Sequence, residues 1–297
     1  MKTKSKFFFS ILFLLCTYHL HLQTLHSETI PAYITPDGYI FIDAAFNDTV
    51  RTRLMFDTGA GLSVVSQKLF NLLKPTVKPA GVFTAFRHDG ERLDGELFII
   101  PKLTIAGRTV YNVKAAVYPP LDDYGIEGVV SLKEFENTAL TIDFKNKTFT
   151  IETAESLPAI ENTAVAQIPL KLHRFTETSL DIFVDICLND SVNIEAEFDT
   201  GSGYNALLIN PYYMKSLGAD SSTTPNRPYV TPTEKKRLVD YISSAGSLRF
   251  CGTSFPEVLN AGLIFRQGLI YEGLIGSGMF RDRSLTIDIP NSRMLVR

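Results

Sequence analysis

Short runs of β-branched and aromatic residues, separated by turn-forming residues, make up most of the chain. Residues 39–45 and 50–56 are two such runs on either side of Asn47-Asp48, and residues 181–188 and 192–198 repeat the arrangement around Asn189-Asp190. Strand-like runs bounded by such turn residues predict β-hairpins. We therefore expect an all-β body with hairpins at corresponding places in its two halves.

Few segments have helical character. Ser66 is a suitable N-cap for a helix over residues 67–73, and Asn210 with Pro211 can begin a short helix that ends at Gly218. Residues 152–162 are polar and contain Pro158, which is typical of a linker or a crossing strand. The domain boundary is placed there, so the predicted lobes are residues 28–158 and 159–297.

The N-terminus has the pattern of an export signal. Three lysines precede residues 7–18, a run of 12 mostly apolar residues, and polar residues follow it. This run is too short to span a bilayer comfortably, so residues 1–27 are predicted to be a signal peptide. An uncleaved membrane anchor is one alternative, and a lipoprotein modified at Cys16 is another, although Leu15 is bulky for that. The protein is expected to be exported to the periplasm, the cell surface or the medium.

Composition argues against several classes of function. Without the three leader lysines, 26 basic residues remain against 32 acidic ones, a net charge of −6. This balance argues against nucleic acid or an anionic membrane surface as a partner. Outside the leader only His88 and His173 remain, and no cluster has metal-ligand spacing, so neither a metal nor a cofactor is expected. Cys187 and Cys251 form either a disulfide or two separate buried thiols, and the sequence leaves both open.

The two halves of the chain repeat each other. Residues 40–61 align without a gap on residues 182–203, and 11 of these 22 positions are identical. Further along, Leu-Thr-Ile-Asp at residues 140–143 recurs at residues 285–288. The chain is therefore predicted to be an internal duplication.

Each copy contains Phe-Asp-Thr-Gly, with Asp57 in the first and Asp199 in the second. If the copies pack about a pseudo-twofold axis, the two turns meet at the interface. Two carboxyl groups so close together cannot both ionise cheaply, because each negative charge favours the neutral form of the other. They then share a proton and act together as acid and base on a water molecule, which is a means of hydrolysing amide bonds.

These residues resemble the aspartic proteases, and the retropepsin-like branch more than the pepsin-like branch. Phe-Asp-Thr-Gly-Ala-Gly at residues 56–61 precedes Leu-Ser-Val-Val, and Phe-Asp-Thr-Gly-Ser-Gly stands at residues 198–203. The family's downstream pattern of two apolar residues and a glycine occurs at residues 273–276. A weaker form occurs at residues 125–128, where Glu127 takes an apolar place. The resemblance implies a two-lobed, all-β aspartic protease fold whose closed, barrel-like lobes are related by pseudo-twofold symmetry.

The resemblance also assigns the site residues and the activity. Asp57 and Asp199 would activate water, and the Ser202 hydroxyl would donate to Asp199 and favour its ionised form. The implied activity is that of an aspartic endopeptidase on peptide or protein substrates, and a monomer is expected because one chain carries both aspartates. The residues that would shape and cross-link the two loops are Thr58, Gly59, Thr200, Gly201 and Ser202.

A flap that closes over the substrate is expected in the first lobe. Residues 82–99 contain Asp-Gly twice, at 89–90 and 94–95, and both are turn signals. The tip is placed at His88, Asp89, Gly90 and Glu91, with an ordinary surface hairpin as the alternative. Residues 225–238 of the second copy contain no glycine and are less convincing as a flap.

Other interpretations are weaker but distinct. Aspartates beside glycine often serve as turn or cap residues, but this would have to hold in both copies. Residues 201–206 fit a Gly-x-Gly-x-x-Ala nucleotide fingerprint, yet hairpins surround them rather than a βαβ unit. Glu127 indicates either a shifted loop or a functional carboxylate. The alternative function is a non-catalytic protein that keeps this fold and only binds peptides.

Overall fold

The computed structural model describes residues 27–175 and 177–297, so the predicted signal peptide, apart from Ser27, lies outside the described residues. Within them the structure has 22 strands and three short α-helices. The all-β, two-lobed fold expected from the resemblance is confirmed. The α-helices are α1 (Gln67–Leu73), α2 (Pro120–Asp123) and α3 (Leu157–Thr163).

The first lobe is a closed barrel. Its ring runs in the order β3, β4, β9, β5, β8, β7 and closes because β7 also pairs with β3, while β2 and β6 extend it. The strands of the first half are β1 (Glu28–Pro31), β2 (Tyr33–Ile34), β3 (Ile40–Phe46), β4 (Val50–Asp57), β5 (Ser63–Val65), β6 (Lys78–Phe86), β7 (Arg92–Ile105), β8 (Arg108–Val117), β9 (Gly128–Ser131), β10 (Ala139–Asp143) and β11 (Thr148–Ile151).

The second lobe has the same strand order. Its ring runs β14, β15, β20, β16, β19, β18 and closes through a pairing of β18 with β14, while β13 and β17 extend it. The strands of the second half are β12 (Ala166–Pro169), β13 (Lys171–His173), β14 (Asp181–Leu188), β15 (Val192–Phe198), β16 (Leu207–Ile209), β17 (Asn226–Val230), β18 (Arg237–Phe250), β19 (Val258–Arg266), β20 (Gly273–Ile275), β21 (Ser284–Asp288) and β22 (Arg293–Val296).

A six-stranded sheet joins the lobes. It takes β1, β11 and β10 from the first half and β21, β22 and β12 from the second. At its centre the two Leu-Thr-Ile-Asp strands pair antiparallel, and Thr141 lies opposite Thr286 with their hydroxyl oxygens 2.7 Å apart. A residue that faces its own counterpart in the other half marks the pseudo-twofold axis.

Buried phenylalanines anchor the strands that lead to the two aspartates. Phe56 packs edge-on against Phe149 with ring centroids 5.1 Å apart, and Phe198 packs in the same way against Phe280 at 5.7 Å. All four rings are fully buried. Burying one such side chain contributes about 1.5–3 kcal/mol, so the ends of β4 and β15 are held firmly.

The predicted hairpins are confirmed in both lobes. The β3–β4 and β14–β15 turns contain Asn47, Asp48, Asn189 and Asp190, whose φ angles lie between 49° and 60°. Asn and Asp tolerate this left-handed conformation, which suits a tight two-stranded hairpin.

The predicted helices are confirmed only in part. Ser66 Oγ accepts a hydrogen bond from the Leu69 amide at 3.0 Å and caps α1, as expected. The second copy has two 3₁₀ turns instead of one helix, at Pro211–Tyr213 and Lys215–Leu217, where adjacent tyrosines favour an α-helix little. The segment between the lobes contains α3 rather than a crossing strand.

The downstream pattern of the first copy lies three residues later than predicted. Phe56 on β4 lies opposite Val130 on β9, just as Phe198 on β15 lies opposite Ile275 on β20. Residues 128–131 therefore correspond to residues 273–276, and the assignment to residues 125–128 is wrong. Glu127 precedes the strand, and its carboxylate accepts a hydrogen bond from Lys68 Nζ at 2.8 Å. It forms a partly exposed ion pair and does not occupy an apolar position.

Cys187 and Cys251 form a disulfide, with their Cα atoms 5.3 Å apart. Of the two alternatives that the sequence left open, the structure has the bridge. None of the helices in the described part of the chain has the length and apolar character needed to cross a membrane.

Candidate active site

The two Phe-Asp-Thr-Gly turns meet between the lobes. A Cβ atom added to Gly59 would lie 2.6 Å from the Asp199 carboxyl carbon, and one added to Gly201 would overlap the Asp57 carboxyl group. Each turn therefore needs glycine at this position, because the opposite aspartate fills the space. The approach is so close that the two carboxyl groups form one site.

Reciprocal hydrogen bonds of two threonines join the turns. Thr58 N donates to Thr200 Oγ1 at 3.1 Å, and Thr200 N donates to Thr58 Oγ1 at 3.0 Å. Each hydroxyl donates to the opposite strand, Thr58 to the Phe198 carbonyl at 2.6 Å and Thr200 to the Phe56 carbonyl at 3.2 Å. Both threonines are fully buried. The four bonds fix the position of each turn relative to the other.

The carboxyl groups accept different sets of hydrogen bonds. Asp57 Oδ1 accepts from the Gly59 amide at 2.9 Å. Asp199 accepts from the Ser202 amide at 3.1 Å and from the Ser202 hydroxyl at 2.5 Å. The first turn has Ala60 in place of Ser202 and so lacks this hydroxyl. The Ser202 hydroxyl therefore gives Asp199 a hydrogen-bond donor that has no counterpart beside Asp57.

Burial and charge favour the protonated form of Asp57. Burial and the negative charge of Asp199 raise the pKa of Asp57 well above its ordinary value. Hydrogen bonds from the Gly59 and Gly201 amides oppose this effect without cancelling it.

The predicted flap residues form the turn between β6 and β7. His88, Asp89, Gly90 and Glu91 lie in this turn, in which the Gly90 amide donates to the Arg87 carbonyl at 2.9 Å. Asp89 and Glu91 are each only 1% exposed. Such burial does not fit an ordinary surface hairpin.

The flap tip, defined as residues 87–91, packs against the second lobe. Tyr229 donates its hydroxyl hydrogen to Asp89 at 2.6 Å, and the Ile270 amide donates to the His88 carbonyl at 2.9 Å. Arg266, which forms two 2.8 Å hydrogen bonds with Asp240, lies 3.3 Å from His88 Nε2. The flap tip therefore bridges from the first lobe to the second.

The pKa values of two flap-tip groups depend on neighbouring charges, and for His88 these include the charge of Asp199. Burial and the neighbouring Arg87 and Arg266 lower the pKa of His88, and the charge of Asp199 acts in the opposite direction. Burial alone would raise the pKa of Asp89, but the Tyr229 hydroxyl and Arg87 outweigh it and lower that pKa. Asp89 is thus held as a carboxylate, and His88 lies within electrostatic reach of Asp199.

The second copy has a hairpin that matches the flap of the first. The sequence had made residues 225–238 less convincing as a flap, because they contain no glycine. β17 and β18 correspond to β6 and β7 in the strand order, and their loop reaches the flap tip. The amides of Thr233 and Glu234 both donate to Glu91 Oε1, the first at 2.7 Å. Lys235 takes the left-handed position with φ 57°, so the turn forms without glycine.

Sequence reasoning missed Tyr229, Arg266 and Glu197. The first two gain their roles only from contact between the lobes. Glu197 is 3% exposed on β15, two residues before Asp199, where the first copy has Met55. That difference between aligned copies was a signal available in the sequence.

No group of His, Cys, Asp and Glu side chains among residues 27–175 and 177–297 has the arrangement needed to hold a metal ion.

A comparison with known families found a match within the first lobe. Residues 42–132 match the model of a family described as aspartyl protease, and this stretch contains Asp57 and ends after β9. No protein with a curated description matches the chain. The match supports an aspartyl protease family, and hence a peptidase, for the first lobe, while Asp199 lies outside the matched residues.

Proposed function

We propose that the chain is an aspartic endopeptidase of the retropepsin-like type, with one catalytic aspartate in each lobe. The observation that carries this proposal is the mutual approach of the two turns, in which the glycine of each lies against the aspartate of the other. The match of the first lobe to an aspartyl protease family supports it.

The protonation states give each aspartate a role. The Asp199 carboxylate accepts a proton from a water molecule as the water oxygen attacks the peptide carbonyl carbon. Asp57 donates its proton to the carbonyl oxygen, which yields a tetrahedral diol. When the diol collapses, the C–N bond breaks, the leaving nitrogen takes up a proton from Asp199, and Asp57 recovers one from a diol hydroxyl. Each aspartate thus returns to its starting state.

The flap tip excludes water from this site and must move to admit a peptide. Its contacts with the second lobe include hydrogen bonds to Asp89, Glu91 and the His88 carbonyl, which can open and close again. We propose that the enzyme acts outside the cytoplasm, a compartment in which the Cys187–Cys251 disulfide is stable. We also propose that it acts as a monomer, because one chain carries both aspartates.

The test is cleavage of a mixed peptide library by the full chain across acid to neutral pH. Asp57→Asn and Asp199→Asn should each lower kcat/KM by about 10²–10⁴-fold, the usual contribution of general acid–base catalysis. Asp43→Asn is the matched control, because Asp43 is an exposed aspartate paired with Arg53 and should leave the rate unchanged.

Two outcomes would contradict the proposal. Cleavage that survives in both active-site variants would mean that the aspartates do not carry the reaction. Tight peptide binding without cleavage at any pH, by a folded sample, would favour the alternative of a non-catalytic peptide-binding protein.

A further inference from the structure

The two sides of the aspartate pair differ in chemistry. Side chains alternate along a strand, so Met55 points to the same face of β4 as Asp57, and Glu197 to the same face of β15 as Asp199. Met55 is 7% exposed and packs with Leu121 and Val129. The side next to Asp57 is therefore apolar, and the corresponding place next to Asp199 holds a carboxyl group.

A second carboxyl group lies on the Glu197 side. Asp181 occupies the position that corresponds to Tyr39 of the first copy, and it is 6% exposed. A Cβ atom added to Gly61 would lie 2.9 Å from Asp181 Oδ1, so this carboxyl group borders the first catalytic turn. Asp181 and Glu197 thus lie beside the reacting groups, in places where the first lobe has an aromatic ring and a thioether.

The surroundings of Glu197 are negative on several sides. Burial raises the pKa of Glu197 well above its ordinary value, and the charges of Asp199, Asp181 and Asp57 raise it further. The pKa of Tyr271 is also raised. Burial is the largest cause, and the charges of Glu197, Asp181 and Asp199 add to it. Phe183 on β14 lies opposite Glu197, so Asp181, two residues before Phe183, lies on the same face of the sheet as Glu197.

Within the described residues, neither a hydrogen-bond donor nor a cationic side chain contacts the Glu197 carboxyl group. The ion pairs found there do not include Asp181 or Glu197 either. A carboxyl group that is almost completely buried beside a reaction centre, on the same face of the sheet as a second carboxyl group, is a candidate to contact the substrate. On β13, His173 lies opposite Asp181 and Lys171 lies opposite Phe183, but the charges that act on Glu197 are those of Asp199, Asp181 and Asp57. A substrate group that contacts Glu197 is therefore expected to be cationic.

We propose that Glu197 and Asp181 form an acidic subsite that receives a lysine or arginine side chain of the peptide beside the bond to be cleaved. The Met55 side receives an apolar or aromatic side chain on the other side of that bond. This inference rests on the proposed function and adds a substrate class to it, namely peptides in which an apolar and a basic residue are adjacent.

The geometry favours a side chain over a metal ion as the cation. The carboxyl groups in the described residues do not form a metal-binding cluster. A lysine or arginine side chain brings several N–H donors on an apolar stem, which can pass the aspartates and place its charged end between Asp181 and Glu197.

The experiment is product sequencing by mass spectrometry after the full chain cleaves a peptide library randomised at the positions around one bond. We expect lysine and arginine to be enriched on one side of the cleaved bonds, and apolar or aromatic residues on the other. Glu197→Met, which copies the first lobe, should lower kcat/KM for the best basic substrate about 10- to 100-fold and raise it for the matched methionine peptide.

Matched variants separate this subsite from a general effect on folding. Glu197→Gln keeps the shape of the side chain and should lose most of the preference for a basic residue. Asp181→Asn should weaken the preference, whereas Asp185→Asn removes an exposed charge from the same strand and should leave it unchanged. Thermal melts of each variant establish that the protein is folded.

The subsite and the proposed function fail in different ways. Cleavage without enrichment of lysine or arginine, or a basic preference that survives in Glu197→Met, would overturn the subsite and leave the peptidase intact. If the folded chain cleaves nothing, the subsite is tested by the binding of two peptides that differ only in lysine or methionine at one position. If the lysine peptide binds more tightly, and Glu197→Met removes that difference, the subsite is supported without the peptidase activity. Equal binding of the two peptides overturns it.

Discussion

Replacing Thr200 by valine tests whether the hydrogen bonds between the two turns hold the site together. The substitution keeps the volume and the branching of the side chain but removes its hydroxyl group. That hydroxyl accepts from the Thr58 amide at 3.1 Å and donates to the Phe56 carbonyl at 3.2 Å. Thr58 and Thr200 have no exposed surface, so water cannot replace either bond.

The expected cost follows from these two bonds. Each buried hydrogen bond contributes about 1 kcal/mol, and a buried partner left unpaired costs about 1–3 kcal/mol. The two partners left unpaired are the Thr58 amide and the Phe56 carbonyl, so Thr200→Val should lower the free energy of unfolding by about 2–6 kcal/mol. Because the turns also position the carboxyl groups, we expect kcat to fall by about 100-fold, the usual effect of a small misplacement of reacting groups.

Urea unfolding of the full chain measures the first effect, and peptide cleavage the second. Thr200→Ser is the control, since it keeps the hydroxyl and loses one methyl group, worth about 0.8 kcal/mol. In the double variant with Thr58→Val the losses should be smaller than additive, because both residues belong to one network. Equal stability and activity of Thr200→Val and Thr200→Ser would refute the reasoning.

Three further predictions concern the flap tip, the aspartate pair and the disulfide. Tyr229→Phe removes the hydrogen bond to the buried Asp89, so amide exchange over residues 87–91 should become about 10- to 100-fold faster; unchanged exchange would show that the flap tip is held otherwise. Ser202→Ala removes a donor that favours ionised Asp199, so the acidic limb of the pH–rate profile should move to higher pH, and an unmoved limb would contradict the assigned roles. Replacing Cys187 and Cys251 by serine opens a loop spanning 64 residues and should cost about 4 kcal/mol of stability. Reduction of the native bridge should cost the same, and a loss below about 1 kcal/mol would argue against this account.

Much of the molecule follows from local sequence. The β3–β4 and β14–β15 hairpins form because Asn-Asp pairs tolerate the left-handed turn between two strand-forming runs. Ser66 caps α1 because its hydroxyl can reach the amide three residues on. The repeat of Phe-Asp-Thr-Gly identified both aspartates, because both copies keep the same turn chemistry.

Contacts between distant segments decided the remaining features. The register of β9 against β4 joins residues about 70 positions apart, and nothing local fixes it, so the downstream pattern was placed three residues early. Cys187 meets Cys251 because the barrel closes by pairing β14 with β18. Local spacing could not distinguish this bridge from two separate thiols.

For the chemistry of the site, too, some features follow from the sequence and others only from the tertiary structure. The sequence by itself determined which residues are candidate acids and bases, since duplicated turns with glycine can carry them to one interface. Only the tertiary structure decided which carboxyl groups are buried together, and therefore that burial and neighbouring charge raise the pKa of Asp57 and of Glu197. The reason is physical: burial and neighbouring charge depend on which segments pack against a side chain, and the two lobes supply those segments from opposite halves of the chain.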